Sequence, residues 1–234
     1  MAPESAGYVK QQSDAVTLDG NTATLAMLRE RALSVADIVH QWTRAGRVFT
    51  THNPTIGTAL TFSAAAAGGH VLTAPSIRLT VPAALTVVPL NLKVTFSAMA
   101  GTPNEMALVA TDTDTYSSGG TSVTLAAYNR FLDNLGTGQP LTSQVTNLRS
   151  GSGSALVEGA LTNPRVLDIQ YFARADAVSE PKAEWRWNAL RDGGLTYIHG
   201  PASVLIYISA VTTASAGEFM FDWAELDKNI LVNS

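Results

Sequence analysis

The chain has 234 residues, enough for one large β domain or two small ones. It carries 19 acidic and 15 basic side chains for a net charge of −4, and no basic cluster, which argues against coating nucleic acid by counterion displacement. With no cysteine and no run near 18 apolar residues, disulfides, thiolate metal sites and helical membrane spans are excluded.

Charged residues are 15% of the chain against 46% hydrophobic, so Ser, Thr, Asn, Gln and Ala must cover much of the surface. That composition suits packing against other subunits. The opening MAPESAGYVKQQSDAV has no apolar centre, so no Sec-type leader is expected. Residues 1–20 are polar and broken by Pro3, Gly7 and Gly20, and read as an extended arm.

Residues 22–46 change character. Leu25, Leu28, Ala32, Val35, Val39 and Trp42 are spaced three and four apart, which predicts an amphipathic helix stopped by Gly46. Ser34 and Asp37 offer a second cap within it and a place for a break. The stripe is read as an oligomerising or docking surface, with Leu25, Leu28, Val35, Val39 and Trp42 as its interaction residues. The alternative is a helix lying on its own domain.

After Gly46 the period is two. Short strands are predicted at Val48–Phe49, Leu60–Phe62 and Ile77–Val81. The cleanest alternation follows, with Leu90, Leu92, Val94 and Phe96 inward and Asn91, Lys93 and Thr95 outward. Further strands are expected around Leu108, Leu125, Ile169, Trp185 and Ile206. The last, GEFMFDWAEL, puts Phe219, Phe221 and Trp223 on one face. Glu225 continues that face and needs a partner if it stays in the core. Asp222 faces the other way. Segment 136–164, rich in Gly, Ser and Thr, reads as a long exposed loop. No helical crossover separates the strands, so residues 47–234 are expected to form one antiparallel β-sandwich, preceded by the arm and helix of 1–46.

Motifs for chemistry are sparse. No zincin, nucleophile-elbow or phosphate-loop pattern occurs. The histidines His40, His52, His70 and His199 show no metal-ligand spacing. Asp112 and Asp114 occupy the first and third positions of a calcium loop, but Ser117 and Val123 stand where glycine and glutamate belong. Trp185 and Trp187 share a strand face and are read as core, with sugar stacking as the alternative. Glu158, Asp168, Glu180, Glu184 and Glu225 show no glycosidase spacing. No catalytic residue, cofactor or metal is assigned.

LVATDTDTYSSGG, TLAAYNRFLDNLGTGQ and the terminal segment from RDGG to DWAEL together resemble the small jelly-roll virion proteins of tailed bacteriophages. The matching positions are Thr113, Asp114, Thr115, Gly193, Gly194, Pro201, Phe219, Phe221, Trp223 and Glu225, over about 47–131 and 182–227. RAGRVFTTHN is similar to that group's entry into its first strand. The resemblance implies a jelly roll, which sets strands from opposite ends of the chain side by side, so Phe219, Phe221 and Trp223 become core. It implies a non-enzymatic capsid decoration or cement protein of the virion. Such a protein is expected to be a homo-oligomer, trimer or dimer, meeting the major capsid protein or other virion subunits, with no nucleic acid or membrane bound. The alternatives are a carbohydrate- or receptor-binding module of a fibre or spike, and a polysaccharide-degrading enzyme on a sandwich.

Overall fold

The computed structural model describes residues 38–62, 71–98, 103–120, 123–132, 141–152, 155–172, 183–210 and 214–228. In chain order these form α1 (Ile38–Arg44), β1 (Val48–His52), β2 (Leu60–Thr61), β3 (Ile77–Val81), β4 (Leu85–Ala98), β5 (Asn104–Thr111) and β6 (Tyr116–Gly119). Then come β7 (Val123–Thr124), β8 (Tyr128–Asn129), β9 (Thr146–Ser150), β10 (Leu156–Glu158), β11 (Arg165–Phe172) and β12 (Glu184–Asn188). The chain closes with α2 (Ala189–Asp192), β13 (Ile198–His199), β14 (Ala202–Ala210) and β15 (Ala216–Asp227).

Every strand pairing is antiparallel. Sheet I runs β12-β4-β15-β1-β8, with β13 added to β4 and β2 to β15. Sheet II runs β11-β5-β14-β3-β9-β7. The eight principal strands, β1, β3, β4, β5, β11, β12, β14 and β15, pass from sheet to sheet at every step except β5 to β11. That winding is the jelly roll. The chain is thus an all-β antiparallel sandwich.

The last strand lies inside sheet I, between β4 and β1. Phe219, Phe221 and Trp223 face the other sheet and are buried among Phe49, Leu92, Val94, Leu79 and Ile206. Trp223 stacks on Phe49 at 6.1 Å between ring centres and on Phe221 at 5.7 Å. Burial of rings this size, about 2–3 kcal/mol each, holds the terminal strand down.

Two β-bulges correct the predicted alternation. On β4, Asp222 pairs with Asn91 and Trp223 with Pro89, so Leu90 is an extra residue. Leu92, Val94 and Phe96 face inward as expected, but Leu90 turns outward and joins Val48, Val88, Ala224 and Leu226. On β11, Val166 pairs with Val109 and Asp168 with Leu108, so Leu167 is extra. Leu167 packs on the core, whereas Val166, Ile169 and Tyr171 stand exposed on the outer face.

The segment 136–164 is also corrected. Within it β9 extends sheet II beside β3, and β10 pairs with β6 as a small two-stranded flap. Leu148, Leu156 and Glu158 are buried there. The flap needs Gly119, whose φ of +87° is left-handed and where a Cβ would meet the Ala155 carbonyl oxygen at 2.0 Å.

Candidate functional site

Two constellations stand out, one on the outer face of each sheet. On sheet I, α1 lies against the outward apolar cluster through Val39 and Trp42. Its end is a Schellman turn: Gly46 takes φ +69°, Arg47 N–H donates to Trp42 O and Gly46 N–H to Thr43 O. Beside α1 a groove of about 430 Å³ opens toward α2. Val39, His40 and Thr43 of α1 form one wall and Leu190 of α2 another. Val48, Leu90, Asn91 and Asp222 line the groove from the sheet, with Arg130 and Asn188 at its edges.

The groove follows from the bulge, because only an extra residue lets the adjacent Leu90 and Asn91 both line the outer face while Leu92 stays in the core. Asn188 caps α2, its side-chain oxygen accepting from Leu190 N–H at 3.1 Å and Arg191 N–H at 3.3 Å. Asp222 is buried, and its Oδ2 accepts from Arg130 at 2.7 Å and Asn91 at 3.2 Å. Its Oδ1 lacks a hydrogen-bond partner among the described residues.

On sheet II the flap seals a charge cluster. Arg78, fully buried, donates through Nη2 to Asp114 Oδ1 at 2.8 Å and to Thr80 and Ser203 hydroxyls at 3.0 Å. Its Nε lies 2.8 Å from Glu158 Oε1, a charge contact in which the N–H is not directed at the oxygen. The guanidinium also sits over Tyr116, 4.3 Å from the ring centre.

The two acids respond in opposite directions. Burial pushes the Glu158 carboxyl above the ordinary range, with Asp114 adding to the rise and Arg78 and the Thr115 hydroxyl only partly opposing it. Burial also works to raise Asp114, but hydrogen bonds from Arg78 and the Tyr116 N–H outweigh it and hold that carboxyl below its usual value. Burial raises Tyr207 well above the ordinary phenol range, with the Glu158 charge adding to it, and its hydroxyl donates to Leu72 O at 2.7 Å.

The predicted site residues divide. Val39 and Trp42 rest half-buried on sheet I, while Leu25, Leu28 and Val35 lie outside the described residues. Asp114 is committed to Arg78, and Asp112 accepts from Asn163 at 3.1 Å, so the two acids are not a vacant cation pair. Trp185 and Trp187 are buried in the core, which overturns the sugar-stacking alternative for them. Trp185 donates to Asp168 at 2.7 Å. Glu184 is held by Arg186 and Lys93, and Glu225 accepts from Trp223. Glu180 and His70 lie outside the described residues.

His52 stacks on Tyr128 at 4.9 Å, and His199 Nδ1 is 2.7 Å from the Thr86 hydroxyl. Among the described residues no three His, Asp or Glu side chains gather as a metal site. Sequence reasoning missed the groove and the Arg78 cluster. Pro89 inside an otherwise central strand was the available signal for the bulge, since proline there is confined to edges, strand starts and bulges. A scan against protein-family models, a search of curated proteins and a search of solved structures each return no match.

Proposed function

We propose that this chain is a non-enzymatic structural subunit of a tailed-phage virion, decorating or cementing the capsid through subunit contacts. The observation that carries the reading is an apolar face left exposed among the described residues of the sandwich. Val166, Ile169 and Tyr171 stand 58%, 65% and 56% exposed side by side on edge strand β11. Large apolar side chains gathered on an edge are an association surface, because isolated proteins protect their edges with charge, twist or cover. The jelly-roll winding and the resemblance of the Thr113–Thr115 and terminal-strand motifs support the same reading. Its expected partners are further copies of itself and the major capsid protein.

The fibre-head alternative loses its support with Trp185 and Trp187 in the core. The enzyme alternative is disfavoured by carboxylates already committed to Arg78, Trp185, Arg186 and Trp223. The test is peptide mass spectrometry of purified particles, followed by addition of the protein to particles lacking it. Stoichiometric presence and saturable rebinding are expected. Absence from particles, or presence with no binding to the shell, overturns the reading.

A further inference from the structure

We infer that the β6–β10 flap is a releasable cover, whose lifting extends the exposed β11 strip into the surface that joins a second copy of this chain. The inference rests on the assembly reading above and concerns how that same face is regulated. The first ground is register. Two cross-strand rows run over the outer face of sheet II. Val166, Val109, Leu205 and Arg78 form one, and Ile169, Ala107 and Tyr207 form the other. Val166 and Ile169 are exposed, whereas Val109, Leu205, Ala107 and Tyr207 are buried. One apolar face is thus open at its edge and closed further in. The cover is the flap with the residues that follow it. Leu161 packs on the cluster of Ala107, Val109, Leu205 and Tyr207. Tyr116 lies over the Arg78 guanidinium, and Glu158 meets its Nε.

The second ground is how the cover is held. β6 and β10 ladder with each other and, among the described residues, with no strand of sheet II. A two-stranded sheet is marginal by itself. The charge cluster beneath it is only half satisfied. Arg78 Nε and Nη1 and Glu158 Oε1 are buried without a hydrogen-bond partner among the described residues. Buried charges short of partners offset the gain from an apolar cover.

The third ground is size. Val166, Ile169 and Tyr171, each little more than half exposed, offer on the order of 350 Å². A stable interface takes about 800 Å² from each partner. The four side chains under the cover lie in the same rows and supply much of the difference. Neither row carries a charge before Arg78, so like can meet like across a two-fold axis without repulsion. The rival arrangement keeps the flap closed and seats the partner on it, through the exposed Val157 of β10.

Gly119 offers a way to lift the flap without touching sheet II. Gly119→Val drives a side chain against the Ala155 carbonyl oxygen and breaks the β6–β10 pairing. The chain has no natural cysteine, so Val109→Cys places a single reporter thiol under the cover. With Gly119→Val added, the thiol should react with DTNB at least tenfold faster while the melt stays cooperative. Sedimentation should show a defined dimer formed at least fivefold more tightly, and Ile169→Lys should abolish that gain. If Gly119→Val fails to fold, Asp114→Asn with Thr115→Ala takes its place, since these loosen only the contacts to Arg78 and Glu158. Labelling that stays slow in both overturns the inference, because the cover is then not releasable. Faster labelling with unchanged association overturns it, and weaker association overturns it in favour of the closed flap. An ill-defined aggregate in place of a dimer, or tighter binding to shells without tighter self-association, also overturns it. Particles that take up parent and opened chains alike remove this inference and leave the virion reading standing. Absence of the protein from particles removes the virion reading, while labelling and sedimentation still judge the flap.

Discussion

Trp223 donates its indole N–H to Glu225 Oε1 across 2.9 Å, two residues along the same face of the last strand. Glu225 also accepts from the Ser143 hydroxyl and, at 2.8 Å, from the Gln144 N–H. The inward acid is thereby satisfied, and it ties the chain around Ser143 to the strand. Trp223→Ala should cost about 3–5 kcal/mol through the cavity left in the core. Glu225→Ala should cost about 1–3 kcal/mol, because the buried indole N–H loses its acceptor. Urea melts read both. Equal, sub-kcal shifts would mean that the last strand is peripheral.

Asp222 lies on the opposite face of the same strand, where solvent exposure is the simple expectation. Instead it is 3% exposed beneath Arg130. Asp222→Ala should therefore be costlier than a surface change, about 1–3 kcal/mol. Arg130→Ala should cost less than roughly 1 kcal/mol on its own account, since that side chain is half-exposed, plus whatever the abandoned acid adds. A double-mutant cycle on thermal or urea melts separates the coupling. Zero coupling would show that the pair contributes nothing.

Acidification should first stabilise and then weaken the flap. Glu158 binds its proton more readily folded than unfolded, so its contribution to stability grows as pH falls through its folded value and is complete below the unfolded value of 4.5. Asp114 is shifted downward, so its contribution is present above 3.8 and is lost as pH falls through its folded value. Relative to Glu158→Gln, the parent should gain stability between neutral pH and about 4.5, and Asp114→Asn should remove the loss at lower pH. Melts across pH on all three proteins check the signs. A parent and Glu158→Gln that track each other would show that Glu158 does not titrate in this window.

Arg78→Ala should cost about 3–5 kcal/mol, because Glu158 would stay buried without its cation and the partly exposed Asp114 would lose its partner. Arg78→Ala combined with Glu158→Gln should recover part of the loss. Limited proteolysis of the flap, as well as global melts, reports whether the damage is local.

Ile169→Lys with Tyr171→Lys should leave the melt within about 0.5 kcal/mol, since both side chains are exposed. It should reduce self-association or shell binding at least tenfold by sedimentation or particle pull-down. Unchanged association would move the interface off β11.

The sandwich was legible because its period-two runs are long and are bounded by glycine and proline turns. The inward set Leu92, Val94, Phe96, Phe219, Phe221 and Trp223 followed from alternation alone. Leu90, Ile169 and Tyr171 did not, since one inserted residue reverses every side chain beyond it and leaves no mark on composition. Arg78 was legible as outward but not as buried, because its cover comes from a segment of weak alternation. The groove was invisible for a related reason: it is made by α1, α2 and a bulge that are distant along the chain.

The position of β15 fixes an order of events during synthesis. Ribosomes release chains N-terminus first. Between β4 and β1 sheet I is a gap until residues 216–227 emerge. Nascent chains must therefore hold Phe49, Leu92 and Val94 half-covered, exposed to chaperones and to one another. A chain stalled or clipped before β15 cannot close that sheet, so in the proposed assembly only chains that carry β15 would present a closed sandwich to their neighbours.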